Sequence, residues 1–342
     1  MSHALIVLPD DTAQPILDAI AEARKSLRVK MFLFSDPTLL AAVTKAKRRG
    51  VKVQVMLNPA RRSGETENED TIQKLKAAKI EVIDSNPEFD VTHEKSMVVD
   101  GGKAFVKSLN WVTRNLTETR DYAVVTTHSP EVDEIIECFE ADWNRKPFLV
   151  GEHSRLIWCT ANGRDRIARF IDEAKHNLFV QNERYQDTVI IERLVRARER
   201  GVKVHVLAKP VHTLKLDKLI EGVGGLRIMD DVGIKIHILK HLKLHGKILV
   251  GDDSRAIVGS INLTPGSFDS RRELAIEVHA ADVVERLTKI AHHDWKHSHP
   301  MDLSDEGLRE EFEKHQLELA SEKLALREAK RKDKNKKRKH QK

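Results

Sequence analysis

Cysteine is scarce in this chain. Cys138 and Cys159 are the only two in 342 residues, too few for the disulfide framework of a secreted protein, and they read as buried thiols in a reducing cytoplasm. Aromatic residues make up 5%, which gives little sign of the base-stacking platforms used on single-stranded nucleic acid. There is no uninterrupted apolar run of about 18 residues, so no membrane-spanning helix is expected. The opening MSHALIVLPDD meets an acidic pair after a short apolar stretch, without the basic region and cleavage site of a signal peptide. The expected place is therefore the cytoplasm, with any membrane contact peripheral.

The chain also has little net charge outside its end. Of the formal +6 overall, residues 327–342 contribute about +8, from ten Lys and Arg against Glu328 and Asp333, which leaves about −2 for residues 1–326. The body shows no basic surface that would track phosphates. With 40% hydrophobic residues it is long enough for a large core in one bilobed unit or two domains.

An internal duplication organises it. A shift of about 151 residues lays RRGVKVQVMLNP (48–59) over ERGVKVHVLAKP (199–210), and IAEARKSLRVKMFLFSD (20–36) over IDEAKHNLFVQNERYQD (171–187). FEADW, ending at Trp143, matches AHHDW, ending at Trp295. Each half reads as strand, helix, strand, helix, strand, with helices near 13–26 and 38–49 in the first and Gly50 and Gly201 at helix ends. Short apolar strands alternating with amphipathic helices predict an α/β fold with a largely parallel sheet. Two such halves, 1–147 and 153–300, would form a pseudo-twofold pair joined near 144–154, where Pro and Gly interrupt the pattern.

The most specific part of the repeat is polar. HEKSMVVD supplies His93, Lys95 and Asp100; HGKILVGD supplies His245, Lys247 and Asp252. Ser108 and Asn110 follow His93 by 15 and 17 residues, as Ser260 and Asn262 follow His245, and an acidic residue, Asp121 or Glu273, follows by 28 in both halves. A lone His-x-Lys means little, since His241-Leu242-Lys243 occurs with no Asp in register; the repeated set is another matter. It resembles the paired HKD motifs of the phospholipase D superfamily, which includes cardiolipin synthases, phospholipases D and nucleases, over nearly all of residues 1–300. Two such halves then imply one active site at their interface. The first copy departs from the pattern at Lys107, where the second has Gly259. That glycine would let backbone approach the phosphate closely, so Lys107 would either crowd the site or add a positive group at its rim.

The chemistry suits these residue types. A neutral imidazole can attack phosphorus to form a covalent phosphoenzyme, while a protonated one hands its proton to the leaving oxygen. On a strand, His and Lys two apart face one phosphate, whereas Asp100 and Asp252 lie across from it and read as structural. The resemblance implies that Asp121 and Glu273 orient the imidazoles, that His93 attacks and His245 is the acid, and that no metal or cofactor is needed. Lys95, Lys247, Ser108, Ser260, Asn110 and Asn262 would then donate to the phosphate oxygens.

The expected activity is cleavage or transfer of phospholipid phosphodiesters. The alternatives are a metal-independent nuclease acting on DNA or RNA, favoured by the basic tail, and an inactive polyanion-binding scaffold. HHDWKHSH (292–299) lacks a second ligand cluster and reads as a solvated helix end rather than a metal site, and Trp111 reads as core. Residues 303–326, with Leu308, Phe312 and Leu319 at helical spacing, predict an amphipathic helix. Residues 327–342 have the composition of a disordered tail, able to meet an anionic membrane or nucleic acid.

Overall fold

The structure, a computed structural model, describes residues 2–59, 67–151, 154–213 and 219–317. Leu319 and the basic stretch 327–342 lie outside the described residues.

Each half begins as its apolar pattern requires. Strands Ser26–Met31, Lys52–Leu57 and Glu81–Asp84 run parallel, as do Asn177–Gln181, Lys203–Leu207 and Lys235–Leu239 in the second half. The connecting helices Pro37–Arg48 and Thr188–Glu199 start at aspartates that match in the repeat. Asp36 accepts from the backbone N–H of Thr38 and Leu39, and Asp187 from that of Ile190, which satisfies orphan donors of the first turn. Gly50 and Gly201 follow with φ of +94° and +88°, a left-handed geometry that costs glycine little.

Two expectations fail. The first helix spans Gln14–Glu22, not 13–26. It stops early because the Asp100 carboxylate accepts from the backbone N–H groups of Arg24, Lys25 and Ser26, which draws the chain out of the helix and into the next strand. The sheets are also mixed rather than largely parallel. From Ser96 onward the first half pairs antiparallel, Ser96–Val99 with Lys103–Lys107 and that strand with Thr119–Thr126. The reason is the tight turn between the first two, where Asp100 and Gly101 have φ of +53° and +69° and the Gly102 N–H donates to the Val99 carbonyl, the left-handed pair of a type I′ turn. Asp252 and Asp253 repeat it in the second half. Asp252 likewise accepts from the backbone of Lys175, His176 and Asn177.

The halves share a core. One apolar cluster draws Val7, Val106, Tyr122 and Val124 from the first half together with Trp158, Ile248, Val258 and Ile276 from the second, while an outer cluster fills each half beneath its own helices. Among the described residues, 305–317 are helical. Leu308 and Phe312 of that helix pack on the second half's outer core, and Glu311 accepts from His212 at 2.7 Å.

Two very short strands tie the halves together and position the site. Val91–Thr92 leaves the first half to pair with Arg271–Arg272 of the second, and Lys243–Leu244 crosses the other way to pair with Thr119–Arg120. Each crossing strand ends immediately before a motif histidine, opposite the residue immediately before a motif carboxylate.

Candidate active site

The crossing strands make the site reciprocal. Because Thr92 is in register with Arg272, the next residues, His93 and Glu273, meet; Leu244 beside Arg120 does the same for His245 and Asp121. His93 Nδ1 donates to Glu273 Oε2 at 2.8 Å, and His245 Nδ1 donates to Asp121 Oδ1 at 2.8 Å. Each carboxylate is fully buried and each imidazole slightly exposed. A carboxylate on Nδ1 fixes the tautomer and leaves Nε2 for chemistry.

Burial is the main influence on the site's charges. It pushes His93 down to about 3 against the pull of Glu273, with Lys95 and Lys247 adding to the fall. Burial lowers His245 as well, but Asp121 and Glu183 both work to keep its proton. Lys95 is driven down to about 7, first by burial and then by the charge of Lys247. The charges acting on Lys95 come from both halves, Lys247, Glu273, Glu183 and Asp121. Asp121 and Glu273 stay below the usual carboxylate range: burial opposes this most strongly, but it is outweighed by the imidazole each holds together with Lys247 and Ser108 for Asp121, and with Lys95 and Arg271 for Glu273.

The remaining expected residues divide. Lys95 and Lys247 line the site, each donating to the backbone oxygen of its own motif histidine, Lys95 at 2.6 Å. An ammonium has three protons, so each keeps donors for a ligand. Asn110 and Asn262 are buried with Oδ1, an acceptor, lacking any partner; a phosphate oxygen would take its hydrogen bond from the amide N–H of the same side chain. The serines do not reach the site. Ser108 donates to Asp121 at 2.6 Å and Ser260 to the carbonyl of Leu274, and both are fully buried. They brace the strands that carry Asp121 and Glu273 instead of donating to phosphate. Asp100 and Asp252 hold backbone away from the site, as described above.

Lys107 neither crowds the phosphate nor lies at a rim. It is fully buried, burial takes its ammonium well below the lysine range, and Nζ sits 4.9 Å over the Trp111 ring without a hydrogen-bond partner. Gly259 has a different purpose from the expected close approach of phosphate: a side chain there would meet Ala275 and the Leu274 carbonyl of the next strand at 2.4 Å. Trp111 is core, edge-on to Phe34.

Several residues of the site carried no motif. Arg120 and Arg272, each next to a motif carboxylate, reach across the interface to Asp294 and Asp142. These aspartates sit in the repeated AHHDW and FEADW, so the match was visible though its purpose was not. The pairing also accounts for Asp294 of the HHDWKHSH run, whose Trp295 stacks on His237. Among the described residues one acidic and thiol group, Glu94, Cys138 and Asp142, is compact enough for a metal. Lys30 Nζ already donates to Glu94 and Asp142 there, at 2.8 Å each. Glu183 donates no signal at all in the sequence, yet its carboxylate accepts from Lys247 at 2.6 Å and pairs with Lys209.

Comparison with known proteins agrees with this architecture. The family model described as cardiolipin synthase, PLD-like domain, matches residues 16–143 and again 167–295. The chain belongs to this family, within the phospholipase D superfamily. It is 26% identical over 313 residues to cardiolipin synthase B of Salmonella typhi, covering 77% of this chain and 73% of that one. To cardiolipin synthase 1 of Bacillus anthracis it is 22% identical over 345 residues, covering 86% and 66%. Among solved structures, phosphatidylserine synthase of Haemophilus influenzae Rd KW20 superposes with a TM-score of 0.71 at 11% identity over 94% of both chains. Polyphosphate kinase of Porphyromonas gingivalis superposes with a TM-score of 0.69 at 16% identity over 88% of this chain, which spans about half, 48%, of the kinase. These two show a shared fold.

Proposed function

We propose that the protein is a phosphatidyltransferase that moves the phosphatidyl group of a phospholipid to an alcohol or to water through a phosphohistidine. The observation that carries this is the reciprocal pair of imidazoles, each held at Nδ1 by a carboxylate of the other half. Membership of the cardiolipin synthase, PLD-like family and relatives named cardiolipin synthases support the lipid substrate.

His93 is the nucleophile. Burial and the charge of Lys95 hold it neutral against Glu273, and where His245 has Glu183 as a second carboxylate, His93 has Phe32, packed edge-on at 5.0 Å. Its Nε2 attacks phosphorus, the bond to the leaving alcohol oxygen breaks, and His245 Nε2 supplies that oxygen with a proton. Charge building on the non-bridging oxygens is met by Lys95 and Lys247. The acceptor's oxygen then attacks, its proton passes to His245, and the P–N bond breaks with the pair returning to His93. Glu183, 4.0 Å from His245 Nε2, favours the imidazolium at the step that needs it.

The test is turnover with EDTA present, on phospholipid vesicles and single-stranded DNA in parallel, with His93→Ala and His245→Ala. The expected result is lipid turnover in the wild type, falling by at least about 10²–10⁴-fold in both variants, with phosphate trapped on His93. DNA turnover lost in both variants would make the protein a nuclease; inertness toward both substrates, with retained polyanion binding, would make it a scaffold. Phosphate trapped on His245 would reverse the two roles. No helix among the described residues is long and apolar enough to cross a membrane. The proposed route to lipid is peripheral, with residues 327–342 meeting an anionic cytoplasmic surface.

A further inference from the structure

Glu183 stands at the mouth of the site with no counterpart in the first half, where the matching position holds Phe32. Its side chain is 11% exposed, against 13% for His245 and 2% for Lys247, and its Oε2 lies 4.0 Å from His245 Nε2, so it borders the acid. One carboxylate oxygen accepts from Lys247 at 2.6 Å and the other pairs with Lys209, from the segment after strand Lys203–Leu207. Held between two ammonium groups, it stays ionised: burial opposes this, but Lys247 and then Lys209 carry it well below the glutamate range.

That placement conflicts with simple phosphate binding. A carboxylate beside the lysine that must hold a phosphodiester competes for that lysine and repels the substrate. If Lys247 alone mattered, an uncharged neighbour such as Phe32 would serve better, as it does beside Lys95. The charge needs a compensating use on the His245 side. There Glu183 Oε2 lies 4.0 Å from His245 Nε2, too far for a direct hydrogen bond and about the span bridged by two adjacent hydroxyls.

We propose that Glu183 holds the acceptor. Its carboxylate accepts a hydrogen bond from the hydroxyl next to the one that reacts, so that a neutral polyol is favoured over water and over simple alcohols. This rests on the phosphatidyltransferase reading above. The reacting hydroxyl sits at His245 Nε2 and gives its proton there as its oxygen bonds to phosphorus and the P–N bond to His93 breaks. The second hydroxyl keeps its proton and donates to Glu183, which Lys209 and Lys247 hold in place. Because leaving and entering oxygens use the same side of phosphorus, a polyol headgroup would be held there as it departs as well. A carboxylate at this point also turns away acceptors that carry their own anionic group close to the reacting hydroxyl. Water and ethanol have no second hydroxyl and gain nothing from it.

The experiment gives the full chain vesicles of phosphatidylglycerol and phosphatidylethanolamine, with deuterated glycerol and ethanol competing as acceptors. Deuterated phosphatidylglycerol, phosphatidylethanol and phosphatidic acid are measured by mass spectrometry for wild type, Glu183→Gln and Glu183→Asp. In Glu183→Gln the glycerol-to-ethanol product ratio is expected to fall about tenfold, as loss of one hydrogen bond to a charged group predicts, through a raised KM for glycerol. The ethanol-to-water ratio is expected to stay unchanged, and Glu183→Asp to restore part of the glycerol preference. An unchanged glycerol-to-ethanol ratio, or all three products falling together, would overturn the inference and leave Glu183 as a support for Lys247. Complete loss of turnover in both variants would overturn it in the same way. A wild type that forms no phosphatidyl product would instead overturn the lipid reading, and the inference with it.

Discussion

Around His93 the chain places Phe32, Lys30, Glu94 and Lys107; at the matching positions around His245 it places Glu183, Gln181, Gly246 and Gly259. The imidazoles, lysines, asparagines and crossed carboxylates are duplicated, and what surrounds them is not. The first surround is a buried charge network in which Lys30 joins Glu94 and Asp142, and Asp142 also holds Arg272. In the second, three of these four positions are neutral and the charge is Glu183, paired with Lys247 and Lys209. Gln181 accepts from Tyr122 at 3.1 Å, and Gly246 leaves room for the Tyr122 ring, which a side chain there would meet at 2.6 Å. A two-step displacement needs one neutral and one protonated imidazole at the same pH. A perfectly symmetric pair could not favour which is which. Divergence of the surroundings, with the reacting groups kept, is how a duplicated chain can assign two roles to one residue type.

The contrast should appear first in stability. Lys30→Met would leave Glu94 and Asp142 buried with less compensating charge, at an expected cost of about 3–5 kcal/mol. Gln181→Met would remove only a neutral hydrogen bond and cost about 1–2 kcal/mol. Urea unfolding of both variants measures the difference, and equal losses would mean that the two surrounds are equivalent after all.

A pH profile separates the lysines. Lys95, brought down to about 7 by burial and by Lys247, loses its positive charge as pH rises through that value, and with it part of the grip on phosphate. The expected profile of kcat/KM, which reports the free enzyme, therefore falls above about pH 7. Lys95→Arg, which keeps its charge at every accessible pH, should remove that limb even where it lowers the rate. If instead Lys247→Arg removed the limb, the asymmetry would run the other way.

The smallest effect is expected at Lys107. Its buried amine has no hydrogen-bond partner, so Lys107→Met, of similar volume, should leave stability unchanged or raise it by about 1 kcal/mol. A loss above about 2 kcal/mol in thermal unfolding would show that the amine makes a contribution its geometry does not reveal.

Much of this molecule was legible beforehand. The repeat, the two motifs in register and the parallel first strands of each half follow from local pattern and spacing, because helix and strand periods and a conserved offset within the chain are properties of neighbouring residues. The Asp100-Gly101 pair is itself a hairpin signal, local in the sequence like the others, and it is what turns the parallel strands into a mixed sheet. Strand alternation marks the two motif aspartates as structural, and the structure gives them the turn and the backbone donors that they hold.

What the order of residues does not contain is which half completes which. Glu273 is 180 residues from His93 and Asp121 is 124 from His245, and each pair meets only because a two-residue strand from one half joins the sheet of the other. Arg120 with Asp294 and Arg272 with Asp142 cross the same interface, while Glu183 meets Lys209 and Lys247 within the second half, from segments brought together by its sheet. Local sequence determined the reacting groups and the elements that carry them. The tertiary structure decided their partners, their burial and so their charges, since desolvation and Coulomb interaction depend on distance through space and not along the chain.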